Sequence, residues 1–185
     1  LRGINVLKPL LRAIQDQNVI TFDHLSYQSG EITRYTLHPY GLREYLNRWY
    51  VVGIAEGESG LWKFGVDRIE NLVITAKGFE RDPDKNPHEL FEQVIGVEIS
   101  EEPVQKVILS FEPRQGKYIK YLKLHRSQAV LVDDEKELRI QLTVKPNFEL
   151  IQHILSHGSL VTVIEPEWLR VKVVRIYRSA LRKYE

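Results

Sequence analysis

The chain contains no cysteine and no methionine. Without cysteine there are no disulfides, no thiolate nucleophiles and no cysteine-ligated zinc. That fits a reducing, cytoplasmic setting. The lack of methionine extends to position 1, which is Leu1, so a fragment or processed piece of a longer chain is expected. No apolar run approaches the roughly 18 residues of a membrane-spanning helix, and no basic-then-apolar leader opens the chain. Missing too are a P-loop, a dinucleotide-binding glycine fingerprint, a nucleophile elbow and a carboxylate cluster of metal spacing. Neither an enzyme nor a cofactor is therefore expected.

What remains is the composition of a folded protein. The 185 residues are 43% hydrophobic, 28% charged and 10% aromatic, enough for one or two domains. The net charge of +1 hides an uneven distribution. Residues 1–80 hold nine basic and nine acidic side chains, residues 81–103 two and seven, and residues 104–185 fifteen and nine. The acidic seam also carries Pro83, Pro87 and Pro103, and reads as a linker between a domain over 1–80 and another over 104–185.

Hydrophobic spacing predicts a helix over 4–17, with Pro9 near its first turn. Alternation predicts strands over 18–27, 32–37, 48–55, 61–66 and 67–76, with Pro39 interrupting the second. Gly57 and Gly60 mark a hairpin turn. Five short strands at this spacing suggest a small closed barrel with the helix capping one end. After the seam the order is a strand over 104–111, a helix over 114–124 with Tyr118, Tyr121 and Leu122 on one side, and a hairpin of 129–132 with 138–145. A helix from Asn147 to about Ser156, a strand over 159–164 and a helix from Pro166 to about Lys183 follow. This βαββαβ order plus a terminal helix is the ferredoxin-like signature, and the whole chain reads as α+β.

Between Pro39 and Ile69 the pattern becomes specific. It runs His38-Pro39-Tyr40-Gly41-Leu42, then Arg48-Trp49-Tyr50-Val51-Val52-Gly53, then Phe64-Gly65-Val66-Asp67-Arg68-Ile69. These three elements, over residues 17–80, resemble the WYL domain, with Val51 in the third position of the Trp-Tyr-Leu triplet. Ile154-Leu155-Ser156-His157-Gly158 and Glu165-Pro166-Glu167-Trp168-Leu169-Arg170, with Leu181 and Tyr184, resemble the C-terminal extension found behind WYL domains. The resemblance implies an Sm-like, SH3-type five-stranded barrel in a bacterial transcriptional regulator. It implies a module that senses a nucleic acid or nucleotide-like anion, forms a homodimer and controls DNA binding. No helix-turn-helix precedes residue 17, so the DNA-reading domain is expected upstream of Leu1.

The candidate ligand-binding residues are Ser26, Tyr27, His38, Tyr40, Trp62, Lys63 and Arg68. A guanidinium at Arg68 matches phosphate oxygens two at a time. His38 offers a further donor or a stacking ring, and Ser26 and Tyr27 offer hydroxyls. Trp62 stands about where the family commonly has a basic residue, which exchanges a charge for a surface on which bases stack. His24 stands where the family often has tyrosine. Each has a purely structural alternative: Arg68 paired with Asp67 at a strand corner, Trp49 and Tyr40 in the core, His38 in a turn. His153 and His157 have zinc-like spacing, but Ile154 follows where a zinc-protease motif has Glu and no third ligand is evident, so no metal is expected. Two basic rows, Arg114 to Arg126 and Arg170 to Lys183, read either as solvated faces or as phosphate-facing surfaces. A non-sensing dimerisation module is the competing function.

Overall fold

The structure is a computed structural model that describes residues 3–185. Helix α1, Ile4–Gln15, presents Leu10, Ala13 and Ile14 to the interior. Pro9 stands in its second turn rather than its first, where its missing N–H removes one bond to the carbonyl of Asn5.

Five strands follow: β1 (Asn18–Leu25), β2 (Ile32–Tyr45), β3 (Arg48–Ala55), β4 (Leu61–Gly65) and β5 (Ile69–Gly78). They form an antiparallel sheet in the order β4-β3-β2-β1-β5. Among the described residues no ladder joins β4 to β5, so hydrogen bonding does not close the expected barrel. All five residues of β4 pair with β3, and a 3-10 turn at Val66–Arg68 then leads the chain into β5, which takes the free edge of β1. Asp67 and Arg68 thus lie in that turn, not in the fifth strand.

The second strand does not end at Pro39. Its ladder with β1 ends at Ile20↔Leu37, so beyond that point β2 has a neighbour on one side only, and a residue without an N–H is tolerated. A bulge between Pro39 and Gly41 carries the strand on to Tyr45. Gly53, opposite Pro39, makes this possible: a Cβ there would stand 2.1 Å from the His38 carbonyl oxygen. Leu10 and Ala13 pack with Ile20, Phe22, Leu37, Val51, Phe64, Val66 and Ile69 to form the core of this part.

The chain divides into two compact units, residues 1–90 and 91–185. The acidic segment expected as a linker contains a short helix, α2 (Pro87–Phe91), and four buried side chains, Phe91, Val94, Ile95 and Val97. Asn147 fastens it to the second unit by donating to the carbonyls of Ile95 (2.7 Å) and Glu98 (3.1 Å).

In the second unit the elements are β6 (Gln105–Phe111), α3 (Pro113–Tyr121), β7 (Ala129–Asp133), β8 (Leu138–Val144), α4 (Phe148–Ser156), β9 (Val161–Glu165) and α5 (Glu167–Leu181). Its antiparallel sheet has the order β7-β8-β6-β9. The alternating residues Val107, Leu109 and Phe111 of β6 and Leu138, Ile140, Leu142 and Val144 of β8 face Leu150, Ile151 and Ile154 of α4 and Leu169 and Val173 of α5. Asn147 caps α4, its Oδ1 accepting from the Leu150 N–H at 2.9 Å. On α3 the buried face is Gly116 and Ile119, because a side chain at Gly116 would collide with Leu138. Tyr118, Tyr121 and Leu122 are on its exposed side. No described helix is long and apolar enough to cross a membrane.

Candidate functional site

Arg68 is the last residue of the turn between β4 and β5, beside the end of β1. Gly65 permits its placement. A Cβ at Gly65 would lie 2.8 Å from Asp67 Oδ1 and 2.9 Å from both Nε and Nη2 of Arg68, so only glycine lets these side chains fold back over the chain. The guanidinium carbon lies 4.9 Å from the centroid of the exposed Tyr27 ring, a cation–π contact. Its Nε is buried without a hydrogen-bond partner, and Arg68 makes no ion pair among the described residues. An open pocket of about 340 Å³ lies here, lined by Leu25, Tyr27, Asp67, Arg68, Ile69 and Glu70 together with Gly3.

His24 borders the same turn. Burial first, and then the positive charge of Arg68, push its pKa down to about 4; a hydrogen bond to the Gly65 backbone and the Asp67 carboxylate oppose this. The ring is therefore neutral at physiological pH. Its Nε2 is a second buried polar atom without a partner. One face of His24 belongs to an aromatic set: Phe64 at 5.2 Å, Tyr35 at 6.3 Å and Phe22 at 6.4 Å between ring centroids. Trp62 extends the set outward, stacked on Phe64 at 6.2 Å and 19° with much of its ring in solvent. The grouping follows from strand alternation, since Phe22 and His24 share one face of β1 and Trp62 and Phe64 one face of β4. Lys63 is on the opposite face of β4 from Trp62.

The remaining expected residues go elsewhere. Ser26 shapes the β1–β2 hairpin, its Oγ accepting from the Ser29 N–H at 3.2 Å. His38 stacks on Phe79 at 4.8 Å and 16°, and Tyr40 stacks on the same ring at 5.7 Å and 29°. Tyr40 is 5% exposed, its hydroxyl accepts from the Asp82 N–H at 2.8 Å, and Arg81 stands 5.6 Å over its ring. Arg81 in turn donates to the Ile14 carbonyl at 2.9 Å. Burial, and next Lys77, lower the pKa of His38. Along β2, His38 is five residues from Thr33, the register partner of His24, or about 17 Å at the usual strand rise. Two clusters result: Tyr27, Arg68, His24 and Trp62 at one, His38 and Tyr40 at the other. The sequence missed His24, Tyr35 and Phe64 in the first and Phe79 and Arg81 in the second. For His24 the signal was present, in its alternation with Phe22.

The motifs over both parts decide the family. Residues 5–74 match the model of the WYL domain, and residues 103–181 that of the WCX domain. The chain is a WYL–WCX protein. The WYL match takes in α1 and ends within β5, so Arg68 and His24 both belong to the WYL domain. No protein of curated function matches the chain in sequence. Among solved structures it is similar to a CRISPR Cas-related protein, at 14% identity and a TM-score of 0.57, over 99% of this chain and 51% of that one. It is also similar to proteasome accessory factor B/C of Arthrobacter aurescens, at 21% identity and a TM-score of 0.45, over 94% of this chain and 26% of that one. The chain thus spans about half the length of the first and about a quarter of the second.

Proposed function

We propose that this WYL–WCX chain is the sensing and dimerising part of a bacterial transcriptional regulator. Its WYL domain takes a nucleic acid or nucleotide-like anion at Arg68, and the bound state controls a DNA-reading helix-turn-helix joined to it in the whole protein. One observation carries the reading: Arg68 has no counter-ion among the described residues, keeps a buried Nε without a partner and lies against the exposed ring of Tyr27. A buried N–H without an acceptor is costly, and a phosphate oxygen supplies the missing acceptor together with a charge that suits the guanidinium. Trp62 adds a ring for base stacking, and neutral His24 a polar atom that lacks a partner. Ser26, Lys63, His38 and Tyr40 are less central to this reading than the sequence suggested.

The strand orders support the finer description of the folds. In β1 to β5, a fifth strand returning to the first, with β2 shared between two ladders and bent at its bulge, is what an Sm-like sheet needs in order to curl. In the WCX part, the first strand lies between the third and fourth, as in a ferredoxin-like βαββαβ unit. A non-sensing dimerisation module is the second reading. It is favoured by the carboxylates of Asp67 and Glu70, which line the same pocket and offset the charge of Arg68. Fluorescence anisotropy with short labelled single-stranded DNA, RNA and nucleotides at low salt separates the two. Saturable binding supports sensing, and a flat response to the whole panel supports the second reading.

A further inference from the structure

Helix α3 turns Gly116 and Ile119 toward the sheet of the WCX part. Three- and four-residue spacings then bring Arg114, Lys117, Tyr118 and Tyr121 together on the opposite side. All four are exposed, Tyr118 and Tyr121 by 62% and 82%. Among the described residues neither ring touches another aromatic ring, and neither Arg114 nor Lys117 makes an ion pair. The β7–β8 hairpin borders the stripe on one flank and brings Asp133, Asp134, Glu135 and Glu137 beside Lys117 and Tyr121. Three of these carboxylates are engaged. Lys120 pairs with Asp133, Arg139 and the Ser110 hydroxyl donate to Glu137, and Asp134 accepts from the Lys136 and Glu137 N–H groups. The other exposed surface of this sheet has a different character: the residues of β6, β7, β8 and β9 that alternate away from the core include no aromatic side chain.

We infer that the outer face of α3 is a docking surface for a single-stranded nucleic acid. Each cation stands about one helical turn before a ring, Arg114 before Tyr118 and Lys117 before Tyr121, so the same arrangement is offered twice along the helix. Arg114 and Lys117 meet phosphates, and Tyr118 and Tyr121 take bases on their faces. Stacking needs unpaired bases, so a duplex gains only the charge. The stripe carries no aliphatic side chain, whereas the centre of a protein interface is more apolar than this. Contacts to phosphates and ring faces carry little sequence information, so the surface holds a strand without reading it. The inference does not depend on the pocket at Arg68, which lies in the other compact unit and takes its ligand separately.

Fluorescence anisotropy on the full 185-residue chain carrying Arg68→Ala tests it, because that change silences the pocket and leaves α3 intact. The probes are a labelled DNA single strand of about 12 nucleotides and the same sequence as a duplex. The single strand should bind saturably and more tightly than the duplex. Adding Tyr118→Ala with Tyr121→Ala should weaken it at least about tenfold, while Tyr118→Phe with Tyr121→Phe, which keeps the rings, should leave it close to its parent. Arg114→Gln with Lys117→Gln should lower the slope of log affinity against log salt by about 1.4, the value for two phosphates of a single strand. All four side chains are on the surface, and an unchanged thermal melt verifies the fold of each variant. No binding by the Arg68→Ala chain, equal affinity for the duplex, or an affinity indifferent to loss of the rings would overturn the surface and return the stripe to a protein partner or to solvent. The reading of Arg68 is measured apart from this, with a labelled nucleoside monophosphate on chains with and without Arg68→Ala.

Discussion

The Arg68 guanidinium lies 4.9 Å from the Tyr27 ring centroid, and no carboxylate pairs with it among the described residues. An aromatic face holds a cation without neutralising it. The arrangement therefore orients the guanidinium while leaving its charge available. Arg68→Ala should abolish ligand binding, and Arg68→Lys should restore only part of it, since an ammonium lacks the planar fork. Tyr27→Ala should weaken binding about two- to fivefold through lost orientation, at the scale of an exposed cation–π contact. Anisotropy titrations of the three variants check the order.

His24 makes the stability of the WYL domain depend on pH. Its pKa is near 4 in the folded chain against 6.5 as the ordinary value. A histidine depressed in this way contributes stability that is present above pH 6.5 and is lost as pH falls through about 4. Because the ring is only half-buried, water screens the effect, and the loss is on the order of 1–2 kcal/mol rather than the full linkage value. His24→Phe should remove that part of the slope in urea midpoints measured between pH 7 and 4. In Arg68→Ala the His24 pKa should rise, because one of the charges depressing it is gone, and an NMR titration of the ring protons reads this directly.

Gly53 is the tightest approach in the first sheet. Gly53→Ala places a methyl group against the His38 carbonyl at the bulge and should destabilise the chain by about 1–3 kcal/mol, or more if the strand cannot shift. Gly57→Ala relieves no contact and meets no atom, but Gly57 has a φ of 84°, so its cost should come from backbone strain alone and stay near 1 kcal/mol. Denaturant unfolding of the pair distinguishes a collision from a dihedral penalty.

Asn147 combines three duties on a side chain that is nearly all buried: it caps α4 and satisfies two carbonyls of the segment before β6. Asn147→Ala should cost about 2–4 kcal/mol, from the lost cap and the stranded acceptors together. Hydrogen exchange should show residues 91–98 opening at lower free energy than the strands of the WCX part.

The sequence was most legible where one local rule acts alone. Arg48 to Ala55 alternates cleanly and is β3; Asn147 and Gly158 mark the limits of α4. Legibility failed where two parts of the chain decide together. Pro39 looks like the end of a strand, and only the early end of the β1 ladder makes it tolerable inside one. Tyr118 and Tyr121 share one side of α3, but their spacing does not say which side packs; that is decided by Gly116, which fits against Leu138. His38 and Arg68 belong to one motif in the sequence, yet the bulged β2 carries them to separate aromatic clusters.

The most direct test follows the Arg68 side chain itself. In a two-dimensional ¹⁵N spectrum of the arginine Nε–Hε groups, the chain is titrated with a short single-stranded oligonucleotide and, separately, with a nucleoside monophosphate. The account predicts that the Arg68 resonance moves and saturates with at least one of them while that of Arg81 stays in place. An Arg68 resonance unmoved by both, or a shift shared equally by Arg81 and the arginines of α5, would contradict it.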